Sequence, residues 1–302
     1  MSPPGKPAPA QPAQAPPPPV YFDARRELAA RFLFGDGLEI GPLHQPLELP
    51  SDARARYVDR MTAEQLRSEY PELADWDLTQ VDIVDDGERL ATIPEESQDF
   101  IIANHFLEHC EDPLRTIETH LGKLRPGGVL FYAVPDKRFT FDFRRPVTPL
   151  DHMIADYEDG PEGSRSTHYE EWCRLVIDQE SDSTGTAEQA ASEEWVARRA
   201  RELEEAGYSI HMHVWTQAEF LRLILELRDR FDEAFDIEAA ARVAIEFIVV
   251  LRKDGPLPQP PAKSGPLAVV TDPGERHRMR AVLARRVRGL LRGARHRIRR
   301  PR

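Results

Sequence analysis

From residue 37 to residue 134, short apolar runs alternate with segments of helical period, and a turn residue marks almost every change. The runs are 37–41, 55–58, 81–84, 99–103 and 129–134, each of strand length and too short for a helix. Thr62 precedes the helical segment 63–70, and Gln65 stands where it can reach back to the cap. Pro113 opens a second helix through Leu124, and Pro126-Gly127-Gly128 stops it. Strands separated by helices cannot pair through tight hairpins. The connections must cross over, so the sheet is mainly parallel and helices cover both faces. The pattern predicts a doubly wound α/β domain.

The flanks fit this plan. Residues 21–34 read as a leading helix, and 217–230 as a trailing one. Two strand-like runs, 235–239 and 244–251, are close enough to pair as a hairpin at the sheet edge. Between them and the fifth strand lies a polar, acidic stretch, 136–210, with helical patches at 149–157, 169–178 and 193–206. This is a helical insertion, placed where it can cover the carboxyl ends of the strands. The expected organisation is a Pro-rich disordered segment (1–19), one domain (20–253), a Pro/Gly linker (254–274) and a basic tail (275–302).

The strand ends carry the chemistry. Glu39-Ile40-Gly41 stands where the first strand is expected to meet a helix, and glycine there lets backbone approach a bound cofactor. Asp59 ends the second strand, at a spacing from Glu39 that suits two hydrogen bonds to the hydroxyls of an adenosine ribose. Asp86-Gly87 follows the third strand, where an acid can take an adenine amino group. Taken singly, each has a plain structural reading: a turn, a helix cap, a tight turn. Their order along successive strands favours a nucleoside cofactor. A nicotinamide-dependent dehydrogenase would want Gly-x-Gly-x-x-Gly after the first strand, and only Gly41 is present.

The run Asp99-Phe100-Ile101-Ile102-Ala103-Asn104-His105-Phe106-Leu107-Glu108-His109, with Pro113-Leu114 and Leu124-Arg125-Pro126-Gly127-Gly128, resembles the small-molecule branch of class I S-adenosylmethionine-dependent methyltransferases. The likeness covers roughly residues 35–135 and resumes at His213-Val214-Trp215-Thr216 and the final hairpin. It implies a seven-stranded sheet whose last strand is antiparallel, and S-adenosylmethionine as cofactor. Glu39, Gly41 and Asn104 would then lie at its methionine end, Asp59 at its ribose, and Asp86 and Gly87 at its adenine. The sequence departs from the family at Leu43 and Gln45, where further glycines usually stand. A non-catalytic binding module on the same fold is the alternative implied by that departure.

An oxygen acceptor needs a base, and histidine suits the task because its ordinary pKa is near 6.5. The candidates are His105 and His109, after the fourth strand, and His211 and His213, where the chain returns to the sheet, with His105 and His213 favoured. His211 and His213 could ligate a metal, but no third ligand is identifiable, so no metal site is expected. Arg144 and Arg145 in the insertion could grip an anionic acceptor, and its aromatics mixed with charges suit a small-molecule or glycan acceptor.

Charge and composition narrow the partners. Residues 275–302 hold twelve arginines against one acid, a local charge of +11, which leaves −23 on the rest of the chain. An acidic body argues against nucleic acid spread over its face. The tail is a basic amphipathic segment, suited to an anionic membrane surface or a nucleic-acid arm, or simply solvated. Cys110 and Cys173 are far apart and read as reduced thiols of a cytoplasmic protein. Residues 1–19 hold nine of the 27 prolines and lack the apolar core of a signal peptide.

Overall fold

The computed structural model describes residues 20–70, 73, 76–177, 192–230 and 234–256. The proline-rich segment, the tail 275–302 and all but the start of the linker lie outside them. Seven strands form one sheet in the order β3-β2-β1-β4-β5-β7-β6. They are β1 (Gly35–Ile40), β2 (Ala53–Asp59), β3 (Ile83–Val84), β4 (Gln98–Asn104), β5 (Leu124–Pro135), β6 (Phe235–Val243) and β7 (Glu246–Lys253). The first five pair in parallel; β7 runs antiparallel to both β5 and β6. The doubly wound, mainly parallel sheet with an antiparallel last strand is the fold read from the sequence.

The central strands are buried on both faces, so β4 and β5 are nearly continuous apolar runs. On one face, Leu38, Ile101, Leu130 and Phe247 meet α3 (Pro113–Lys123), α4 (Leu150–Asp159) and α7 (Gln217–Arg230). Leu114, Ile117 and Leu121 of α3 fall on one helical stripe, and each is at most 2% exposed. Burial of each such side chain contributes about 1.5–3 kcal/mol. On the other face, Phe100, Ile102 and Phe131 pack against α1 (Val20–Phe32) through Leu28, Ala29 and Phe32. Arg25 of α1 reaches across this layer to Glu246 of β7, with Nε donating to Oε1 at 2.8 Å and Nη2 to Oε2 at 2.5 Å.

The insertion has a small core of its own. α5 (Arg165–Trp172) continues into a π-helical turn, Cys173–Ile177, and packs with α6 (Glu193–Glu205) and the return segment around Ile210 and Met212. Arg145 spans this region at 1% exposure, donating to Asp142, Glu171 and the carbonyls of His211 and Met212. Its donors serve the fold, so it is not an open grip for an anion; Arg144 beside it is exposed.

One expected element is missing. No helix lies between β1 and β2, and residues 41–52 form an irregular crossover. Pro42, Pro46 and Pro50 recur at the helical repeat, and each lacks the amide that a helix interior needs. Among the described residues no helix is long and apolar enough to cross a membrane.

Candidate active site

Register puts the predicted residues in a row. Ile40 pairs with Val58 on one side and Ala103 on the other, so Gly41 stands between Asp59 and Asn104. Asp59 pairs with Val84 and Asn104 with Ala133, which extends the row from β3 to β5 along the carboxyl edge. Ligands of open α/β sheets bind at this edge. A concavity of about 560 Å³ occupies the opposite edge, near Arg54, Asp82 and Arg125, away from these residues.

Gly41 has φ +62°, and a Cβ built there would meet nothing within 4 Å, so its backbone fronts open space. Beside it, Oδ1 and Nδ2 of Asn104 are shielded from solvent and have no hydrogen-bond partner. A buried amide with its bonds unmade carries a desolvation cost that a ligand would relieve. Asp59 is 8% exposed, and burial raises its pKa against the opposing Arg60 and Met61 amides. Asp86 is half exposed and already accepts the Glu88 amide at 2.9 Å. Gly87 is close-packed: a Cβ would come within 2.6 Å of Ile40 and 2.7 Å of Phe106.

Glu39 lies behind Gly41 at 1% exposure, and its two carboxylate oxygens take the Leu47 amide at 2.9 and 3.1 Å. It anchors the helix-free crossover that follows Gly41. Burial, set against the Leu47 amide and the Arg25 charge, pushes its carboxyl up to about 7. A carboxyl raised on folding binds its proton more tightly in the folded state. Stability should therefore fall as pH rises from about 4.5 to about 7, and then level off. At about 1.4 kcal/mol per pH unit, the accumulated cost is roughly 3 kcal/mol. Glu39→Gln keeps an acceptor for Leu47 and removes the charge, so its urea stability should depend less on pH between 5 and 8 by about that amount. Equal dependence in both proteins would show that the Glu39 proton is not linked to folding.

His105 follows Asn104 with φ +53°, a conformation that a residue with a side chain adopts at a cost. Its ring is 34% exposed, with Nε2 2.8 Å from Glu246 Oε2 and Nδ1 3.7 Å from Glu108 Oε1. Burial would raise Glu246, but Arg25 and His105 outweigh it and hold the carboxyl below its ordinary range. That carboxylate can only accept, so His105 Nε2 donates to it. Glu108 is wholly buried with His109 and His211 nearby, and burial raises its pKa. Sequence reasoning did not single out Glu246 or Glu108 as partners of His105. Only the expected return of β7 beside β5 hinted at the first.

His213 stands elsewhere. It is 0% exposed, donates Nδ1–H to the Cys110 carbonyl at 3.0 Å, and turns Nε2 toward His152, Asp156 and His168. An acceptor cannot reach an enclosed ring, so the expected base role fails for His213 on geometry.

The carboxyl edge of this doubly wound sheet presents an open glycine, a buried acid and an unbonded amide side by side, the place where ligands of such sheets bind. The chain belongs to the methyltransferase domain family, whose model matches residues 20–226. Its cofactor is S-adenosylmethionine. No curated protein matches the chain. Solved structures similar to it include an S-adenosylmethionine-dependent methyltransferase from Aquifex aeolicus, 12% identical over 75% of this chain and 86% of that one, TM-score 0.39. The CurJ carbon methyltransferase is 11% identical over 74% of this chain and 49% of that one, TM-score 0.37. A protein from Rhodobacter sphaeroides described as a candidate Zn-dependent alcohol dehydrogenase is 12% identical over 78% and 89%, TM-score 0.43.

Proposed function

We propose that the chain methylates an oxygen or nitrogen of a polar small-molecule or glycan-type acceptor, with His105 as the base. The observation that carries this reading is the part-exposed His105 ring, next in sequence to Asn104 and oriented by the buried Glu246. When bound, S-adenosylmethionine supplies a methyl group on a sulfonium, open to in-line displacement. Gly41 and Asn104 would hold its methionine end and Asp59 its ribose, which fits the open space and the unmade bonds found there. Nδ1 of His105 would take the acceptor's proton while Nε2–H stays bonded to Glu246. The insertion begins at the carboxyl end of β5, where Phe143 is exposed and Phe139 lies under Arg138 and Arg242. Aromatic rings mixed with charges at this opening support a polar acceptor over an apolar one.

The test is release of S-adenosylhomocysteine with panels of sugars, sugar nucleotides and small phenols, and with protein and nucleic acid as contrasting acceptors. Turnover confined to the macromolecules would contradict the acceptor class. Asp59→Ala should weaken cofactor binding by one to two decades in a protein that stays folded. Two charge-assisted hydrogen bonds at about 1.5–3 kcal/mol each, partly replaced by water, set that scale. An unchanged dissociation constant would place the ribose elsewhere.

A further inference from the structure

Within the insertion and the segment that returns from it, three imidazoles and one carboxylate turn their polar atoms toward one another. His152 and Asp156 are four residues apart on α4, hence on one helical face. His168 comes from α5 and His213 from the segment returning to the sheet. His152 Nε2 is 3.0 Å from His168 Nε2 and 3.2 Å from Asp156 Oδ2, and His213 Nε2 is 3.7 Å from that same oxygen. One ligand atom from each of the four residues lies within 4.8 Å of every other.

Hydrogen bonding accounts for the contacts of His152 but not for the position of His213. At 3.7 Å, His213 Nε2 is beyond reach of Asp156, and it has no hydrogen-bond partner among the described residues. Its Nδ1–H is committed to the Cys110 carbonyl, which leaves Nε2 as a bare lone pair aimed into the cluster. A carbonyl on the far nitrogen is the arrangement that orients a ligating histidine. Four ligands held at about 2.0–2.1 Å around a tetrahedral ion lie about 3.3–3.4 Å from one another. Three of the six separations, 3.0, 3.2 and 3.7 Å, bracket that spacing, and the other three lie within 4.8 Å.

We propose that His152, Asp156, His168 and His213 form a four-coordinate zinc site that ties the insertion to the methyltransferase body. Three imidazole nitrogens and one carboxylate suit zinc rather than calcium or magnesium, which prefer oxygen. With four protein ligands the shell is closed, so the ion is structural. It joins α4, α5 and the return segment, whose ligands span residues 152 to 213. His211, first paired with His213 on spacing alone, bonds Asp142 at 2.7 Å and belongs to a separate group with Glu108 and His109.

Full-length protein, stripped with a chelator and titrated with zinc alone, tests the site. One zinc per chain is expected by elemental mass spectrometry. Cobalt in its place should show the strong visible absorption of tetrahedral coordination. Zinc at a hundredfold over its dissociation constant stabilises by about 2.7 kcal/mol, a rise of about 5–10 °C in melting temperature. His152→Gln, at a part-exposed position that tolerates change, and Asp156→Asn should each weaken zinc by about a hundredfold or more, since outer-shell losses alone cost ten- to a hundredfold. His109→Gln should retain the metal. No zinc binding by the wild-type protein, undiminished affinity in both ligand variants, or loss only in His109→Gln would each overturn the proposal.

Discussion

Replacing Arg25 with Met is expected to destabilise the protein by about 3–5 kcal/mol, the cost of leaving a buried charge without its partner. Glu246 is 0% exposed, and Arg25 meets both of its oxygens from a helix 221 residues away in sequence. His105 bonds the same carboxylate but is shared with the site, so it is a weaker substitute for a guanidinium in bidentate contact. At about 2–4 °C per kcal/mol for a domain of this size, the melting temperature should fall by about 6–20 °C. The loss should be partly restored in the double variant Arg25→Met, Glu246→Gln, which removes the stranded charge. Calorimetric melting of both proteins checks this. A single variant that melts with the wild type would mean that Glu246 is held by something other than this pair.

His105→Gln is expected to lower kcat by about 10²–10⁴, the usual contribution of a positioned base. Glutamine keeps a polar side chain near Glu246 but has no lone pair basic enough to take the proton. Cofactor affinity should change little, because the methionine end is assigned to Gly41 and Asn104. That split between turnover and binding separates loss of a base from collapse of the pocket. If the variant turns over at the wild-type rate with an oxygen acceptor, proton removal does not pass through His105.

The edge residues were legible because parallel strands place their carboxyl ends side by side. Once strands end at Gly41, Asp59 and Asn104, their adjacency follows from pairing and needs no knowledge of side chains. The missing helix after β1 was also legible, though in a different signal. Leu43 and Gln45, where glycines usually stand, say nothing of it; the repeat of Pro42, Pro46 and Pro50 is what forbids a helix. Partners set by tertiary packing were not legible. Arg25 and Glu246 meet only because α1 lies over β7, and His213 finds His152 and His168 only because the insertion folds back on the return segment. The His152-Asp156 pair, four apart on a predicted helix, was the one local trace of that cluster.

Calorimetric titration of the full-length protein with S-adenosylmethionine, S-adenosylhomocysteine and NAD tests the central claim most directly. The site described here predicts one-to-one binding of the first two, weakened in Asp59→Ala, and no heat from NAD above dilution. Binding of NAD with no response to either sulfur nucleoside would contradict it.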